Sequence, residues 1–188
     1  MGRWKPNARG RLEQAALELY VERGYDRTTV AEITRRAGLT ERTFFRHFAD
    51  KREVLFAGSG ALEELCVDAV ATAPGATAPI DVMTAALDTA SSLFQERGDV
   101  VRQRQSVIDA NTELRERELV KLASLSAALA DALRLRGVGD LTARLTAETG
   151  MAVLKVAYER WIREPDDRTL HQHLGECLDA LRAVTART

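Results

Sequence analysis

The chain has 188 residues, 45% of them hydrophobic and 29% charged, with 27 Lys and Arg against 28 Asp and Glu and a formal net charge of −1. That balance excludes a disordered chain, and the lack of any apolar run of about eighteen residues excludes a membrane span. Two cysteines, Cys66 and Cys177, with neither a CxxC nor a histidine at zinc-site spacing, exclude a disulfide scaffold and read as two reduced, packed thiols in a chain long enough for one large or two small domains.

In chain order, a basic opening with Trp4 and Pro6 reads as a loose arm whose Arg3, Lys5, Arg9 and Arg11 can follow a phosphate backbone or simply remain solvated; no apolar segment follows it, so a secretory signal is not expected. Leu12, Ala16, Leu19 and Tyr20 give an amphipathic first helix ending at Gly24. Thr29 followed by Glu32 fits a capping box that starts a short helix near Val30, with Val30, Ile33 and Ala37 on one face and Gly38 at the stop. Thr40 then caps another helix in which Phe44 and Phe48 point inward, leaving Glu41, Arg42, Phe45, Arg46 and His47 outside. Asp50 and Glu53 repeat the cap spacing and predict a longer helix through Val54, Leu55, Leu62, Leu65 and Val70. Two short helices about a Gly turn, the second with a basic and aromatic outer face, describe a helix-turn-helix.

Residues 73–79, rich in Pro and Gly, read as a linker. Beyond it, Ile80, Met83, Leu87, Ala90 and Phe94 make a core-facing stripe ending at Gly98, and a short helix follows from about Val100 to Ala110. Asn111 and Thr112 cap a long helix carrying Leu114, Leu119, Leu122, Leu125, Leu129 and Leu133 to Gly137. Asp140 opens the next, with Leu141, Leu145, Val153, Val156 and Tyr158, to Pro165. Asp166 and Asp167 are expected to cap the last, with Leu170, Leu174, Leu178 and Leu181. No alternating strand pattern appears, so the chain reads as all-α with about nine helices: a helix-turn-helix domain over 1–56 and a helical domain over 57–188. Residues 1–56 hold 12 Lys and Arg against 8 Asp and Glu, a balance of +4, whereas the rest hold 15 against 20, a balance of −5. Counterion release favours docking the cationic end on a polyanion; a solvated basic face is the plainer reading of charge alone.

From Gly24-Tyr25 and Thr28-Thr29-Val30 through Ile33, Ala37-Gly38-Leu39, Thr40, Thr43-Phe44-Phe45 and His47-Phe48 to Lys51 and Leu55, the sequence resembles the tetracycline-repressor (TetR) family of transcriptional regulators. The likeness covers residues 9–56. The Arg42–Arg46 segment with Tyr158 and Trp161 is similar to an actinobacterial branch that includes the mycofactocin-system regulators, some of which respond to acyl-CoA. The resemblance implies a homodimer on palindromic double-stranded DNA, released by a small-molecule effector; the lack of a signal and of an apolar span makes the cytoplasm, away from any membrane, the expected location. Thr29, Thr40, His47 and Lys51 match family positions that touch phosphates. Glu41, Arg42 and Thr43 match the base-reading end of the second helix, where an Arg can bind guanine bidentately and a Glu can accept from cytosine or orient the Arg. The family commonly has Tyr where this chain has Phe45, so a phenol-to-phosphate hydrogen bond is missing, and neighbouring Arg46 is the candidate replacement.

Residues 151–162 carry apolar side chains on more than one helix face, so that helix must be covered on two sides. By the family's example, Leu154, Trp161 and Ile162 with Leu174, Leu178 and Leu181 are expected at the dimer interface, against the alternative of a helix sandwiched within one chain. Arg104, Asn111 and Tyr158 are polar groups in otherwise apolar helices and candidates for lining an effector pocket. No GxGxxG, Walker loop, GxSxG or HExxH motif points to catalysis, and His171 and His173, two apart on a helix, point in different directions and read as surface residues. No cofactor, no metal and no enzymatic activity is expected. The competing class is a helical protein-interaction module that does not bind DNA.

Overall fold

The computed structural model describes residues 7–75, 77–164 and 168–186. The arm residues Arg3, Trp4, Lys5 and Pro6, and the Asp166-Asp167 pair expected to cap the last helix, lie outside them. The described residues form nine α-helices, a 3-10 turn and no strand: α1 (Ala8–Arg23), α2 (Val30–Ala37), α3 (Glu41–His47), the 3-10 turn Glu53–Phe56, α4 (Ser59–Thr72), α5 (Pro79–Gln95), α6 (Gly98–Asp109), α7 (Thr112–Leu135), α8 (Asp140–Arg163) and α9 (Leu170–Thr185).

Two compact units divide the chain. The first takes residues 7–59 and Asp99–Glu118; the second takes Gly60–Gly98 and the residues from Leu119 onward, so α7 belongs to both. In the first unit Leu12, Ala16, Leu19 and Tyr20 of α1 close over Ile33, Phe44, Phe48 and Phe56, with Ile108 and Leu114 of α6 and α7 in the same core. Local signals place these helices. Thr29 accepts from the Glu32 amide while the Glu32 carboxylate takes the Thr29 N–H at 2.9 Å, a complete capping box. Gly38 ends α2 in the left-handed region (φ 65°), from where its own N–H and that of Leu39 return to the helix carbonyls. Thr40 caps α3 by accepting from the Thr43 amide.

The helix expected from Asp50 onward is broken. Asp50 accepts from the Arg52 and Glu53 amides, as its position predicts, but the turn it starts lasts only to Phe56, and Gly58 precedes a separate α4. Cys66 and Val70 are the buried residues of α4, and Leu65 is exposed. In the second unit α5, α8 and α9 pack on one another. Gly150 of α8 makes the close approach to α5: a Cβ there would lie 2.4 Å from Met83 Cγ. Thr169, not an aspartate, caps α9, in a second capping box with Gln172. Arg136 at the end of α7 donates to the carbonyls of Val70, Ala73 and Pro74, holding the exit of α4. His171 is exposed and bonded to Asp88 at 2.9 Å, but His173 is fully buried, so only one of the pair lies at the surface as expected. Two positions along a helix turn a side chain through about 200°, enough to carry His173 from the surface into the α9 core.

Candidate nucleic-acid interface

The site is the outer face of α3, and its rigidity comes from beneath. Phe44 is fully buried and packs against Phe48 with ring centroids 5.5 Å apart and planes tilted by 50°, so the helix is keyed to the core by the two rings four residues apart. Around that key the carbonyls and acids of the first unit absorb most of its cations. Arg36 forks onto Glu22 at 2.7 Å, Arg23 pairs with Glu32, and Arg52 bridges Asp50 and Glu113 at 2.6 and 2.7 Å. Arg9 donates to Glu13 and to the Ala57 carbonyl, and Arg11 to the Ala37 carbonyl, so these two hold the unit together rather than forming a free arm. Hydrogen bonds from the Arg52 guanidinium and from the Arg52 and Glu53 amides hold the Asp50 carboxyl below its ordinary range.

Arg42 and Arg46 differ. One turn apart on α3 and exposed, they form no hydrogen bond or ion pair among the described residues, and with Thr43 and Phe45 they line a shallow hollow on the helix's outer side. Glu41 and His47 are exposed on the same short helix, with Thr29 and Thr40 exposed at the two caps. An unpaired guanidinium on a helix of this length is the group that reaches a guanine edge or a phosphate when the helix enters a major groove.

Lys51 is placed otherwise. Its ammonium donates to the Tyr25 and Thr28 carbonyls at 2.9 and 3.0 Å and sits 4.2 Å from the Tyr25 ring centroid, while its own carbonyl accepts from the Tyr20 hydroxyl at 2.7 Å. It braces the loop between α1 and α2, and a phosphate contact would compete with those bonds.

The three residues expected to line a pocket are each engaged within their own unit. Arg104 donates to the Leu55 carbonyl at 2.6 Å and to Glu118 at 3.2 Å and lies over the Phe56 ring, pinning the 3-10 turn within the first unit. Asn111 returns its amide to the Val107 carbonyl at 2.8 Å. Tyr158, in the second unit, stands edge-on to Phe94 and next to Trp161. Arg104 and Asn111 spend their polar groups on these neighbours, so polarity within an apolar helix does not by itself mark a pocket.

Four of the six residues expected at an interface are already covered by this chain itself. Leu154, Trp161, Leu174 and Leu178 are buried within the single chain and Ile162 and Leu181 half-buried, because α8 lies against α5 and α9 at once. The apolar residues that α8 leaves uncovered are Leu141, Leu145 and Val156, exposed by 72%, 58% and 50%. Their spacing of four and eleven residues is a helical stripe visible in the sequence, on the side away from the wider apolar arc that drew the reading.

Residues 13–57 match the model of bacterial regulatory proteins of the tetR family, and residues 77–186 that of the MftR C-terminal domain. The mycofactocin biosynthesis transcriptional regulator MftR of Mycobacterium tuberculosis is 26% identical over 187 residues, 97% of this chain and 93% of that protein. The HTH-type transcriptional regulator TcmR of Streptomyces glaucescens is 38% identical over 78 residues, 42% of this chain; the match spans only 34% of TcmR. Among solved structures, FadR of Thermus thermophilus, a TetR-family transcriptional repressor in complex with lauroyl-CoA, shares the fold with a TM-score of 0.60 and 22% identity over 96% of each chain. Helix order, the helix-turn-helix and both family matches agree: the chain belongs to the TetR family of bacterial transcriptional regulators and carries an MftR-type C-terminal domain.

Proposed function

We propose that this chain is a repressor that reads a palindromic operator as a homodimer and releases it on binding a small molecule. The observation that carries the DNA-binding role is the outer face of α3, where Arg42 and Arg46 are exposed and unpaired while Arg36 and Arg52 are spent on acids. In this reading Arg42, with Glu41 and Thr43 beside it, meets base edges, and Arg46, His47, Thr29 and Thr40 meet the backbone. Residues 1–56 supply the reading head, joined by Asp99–Glu118, and the remainder binds the effector and the second copy. The exposed Leu141, Leu145 and Val156 support pairing through α8 better than its buried side does. An acyl-CoA is the effector class to test first, because FadR of the same fold was solved with lauroyl-CoA.

The test is a gel shift with DNA flanking the chain's own gene, titrated with salt. Binding should weaken linearly in log–log form as salt rises. Arg42→Ala should lose about 1–3 kcal/mol of discrimination at one base position per half-site, while Arg46→Ala weakens all sequences alike and lowers the salt slope by about one. No shift at low ionic strength would make the chain a protein-interaction module, and equal loss at every base position would remove Arg42 from base reading.

A further inference from the structure

The α3 face carries one group whose chemistry phosphate and guanine contacts leave unused. Phe45 is 56% exposed, and its ring stands edge-on to the buried Phe44, centroids 5.4 Å apart with planes at 81°. Isolated exposed apolar side chains are ordinary on protein surfaces. Phe45 is not isolated: it shares the hollow of Arg42, Thr43 and Arg46, and its orientation is set by a ring that belongs to the core. A phenyl has no donor or acceptor, so it cannot hydrogen-bond a phosphate oxygen or any heteroatom of a base edge. The apolar feature of the major groove is the C5-methyl of thymine.

From this juxtaposition we propose that Phe45 is a specificity residue that covers a thymine methyl, so the operator carries a thymine beside the base that Arg42 reads. The proposal rests on the DNA-binding reading above and adds the class of base that this position selects. The guanidiniums on either side supply charge and hydrogen bonds, which orient the helix, and the ring supplies the term that separates thymine from cytosine. Burying one methyl group corresponds to about a fourfold change in affinity. The edge contact with Phe44 reduces the side-chain freedom that the ring loses on binding.

The experiment uses the full chain and the duplex it protects in a footprint of the DNA flanking its own gene. Each thymine of that duplex is replaced singly by deoxyuridine, which removes the methyl and leaves base pairing unchanged. Expected for the wild-type chain is about a fourfold loss at one thymine in each half-site and nothing elsewhere. Phe45→Ala should bind the thymine and uracil duplexes equally while staying folded, its thermal unfolding midpoint lowered only modestly by loss of the edge contact with Phe44. Placing 5-methylcytosine at the sensitive position in a cytosine-substituted duplex should restore part of the lost affinity to the wild type and none to Phe45→Ala. Tight binding without a methyl-sensitive thymine, or a sensitivity that survives in Phe45→Ala, overturns the assignment while leaving DNA binding intact. A chain that protects no duplex overturns the DNA-binding reading and this assignment together.

Discussion

The reading head and the α5–α8–α9 layer are both helical, but their helices are specified differently. In the head, α2 and α3 have eight and seven residues, too short to be stable alone, and each starts at a threonine cap whose partner lies three positions on. Two rings four residues apart then decide which face turns inward. In the α5–α8–α9 layer the helices are long, α8 has 24 residues, and no side chain caps its start. Contacts between residues far apart in sequence determine what α8 buries, Gly150 against Met83 and Trp161 against Gly98, while Gln95 accepting from the Leu170 amide at 3.2 Å ties α9 to α5. The short α2 and α3 thus advertise their starts, as α9 does with its own capping box, whereas α8 advertises only that some face must be covered.

The largest effect that tests this contrast is Trp161→Ala. The indole is 2% exposed and lies next to Gly98 and Tyr158, so truncation should cost about 3–5 kcal/mol of unfolding free energy. Denaturation by urea at several protein concentrations separates core from interface. A core residue gives the same loss throughout, and a loss that vanishes at high concentration would return Trp161 to the subunit interface. Next in size is Gly150→Ala, expected to cost about 1–3 kcal/mol because its Cβ would overlap Met83 Cγ and Sδ. Combining it with Met83→Ala should give less than the sum of the two single losses, since the shorter side chain makes room. Additive losses would mean that the overlap does not govern the crossing of α8 over α5.

What was legible follows the same division. Thr29, Glu32, Gly38, Thr40, Phe44 and Phe48 are found in the caps, turn and core positions that their spacing predicts, because each depends on neighbours within four residues. Asp50 was legible as a cap, but not the early end of its helix, since capping strength says nothing of how far a helix runs past Gly58. The exposed face of α3 was read from the same local spacing. Whether a cation there is free is a non-local question: Lys51 meets the Tyr25 and Thr28 carbonyls more than twenty residues away, and nothing near position 51 announces it. Leu154 and Trp161 were expected at a subunit interface on a helix covered twice, yet both are buried against α5 and α9 of the same chain, a tertiary fact absent from any single helix's pattern.

Lys51→Ala sharpens the comparison inside the head. Losing two charge-assisted hydrogen bonds and the ring contact should lower stability by about 1–2 kcal/mol, read as a lower urea midpoint. A lysine that served only a phosphate would leave the midpoint unchanged and reduce the salt slope of DNA binding by about one instead.

The smallest effect expected is confined to acid and to the caps. Bonds from the Thr29 amide and hydroxyl hold the Glu32 carboxyl below its ordinary range, as those from the Arg52 guanidinium and the Arg52 and Glu53 amides hold Asp50. A carboxyl whose folded value is depressed stabilises the native state fully above its unfolded value of about 4, and that contribution is lost as pH falls through the folded value. The head should therefore weaken below about pH 4 by protonation of its own caps. Asp50→Asn keeps an oxygen that can accept from the Arg52 and Glu53 amides but cannot titrate, so its urea midpoint should start lower near neutral pH and fall less steeply from pH 5 to pH 3 than the wild type. Parallel acid limbs in the two proteins would show that the cap carboxylate does not set the acid response, and would shift that role to ion pairs such as Glu176 with Arg160 in the second unit, whose carboxyl is held low by the guanidinium beside it.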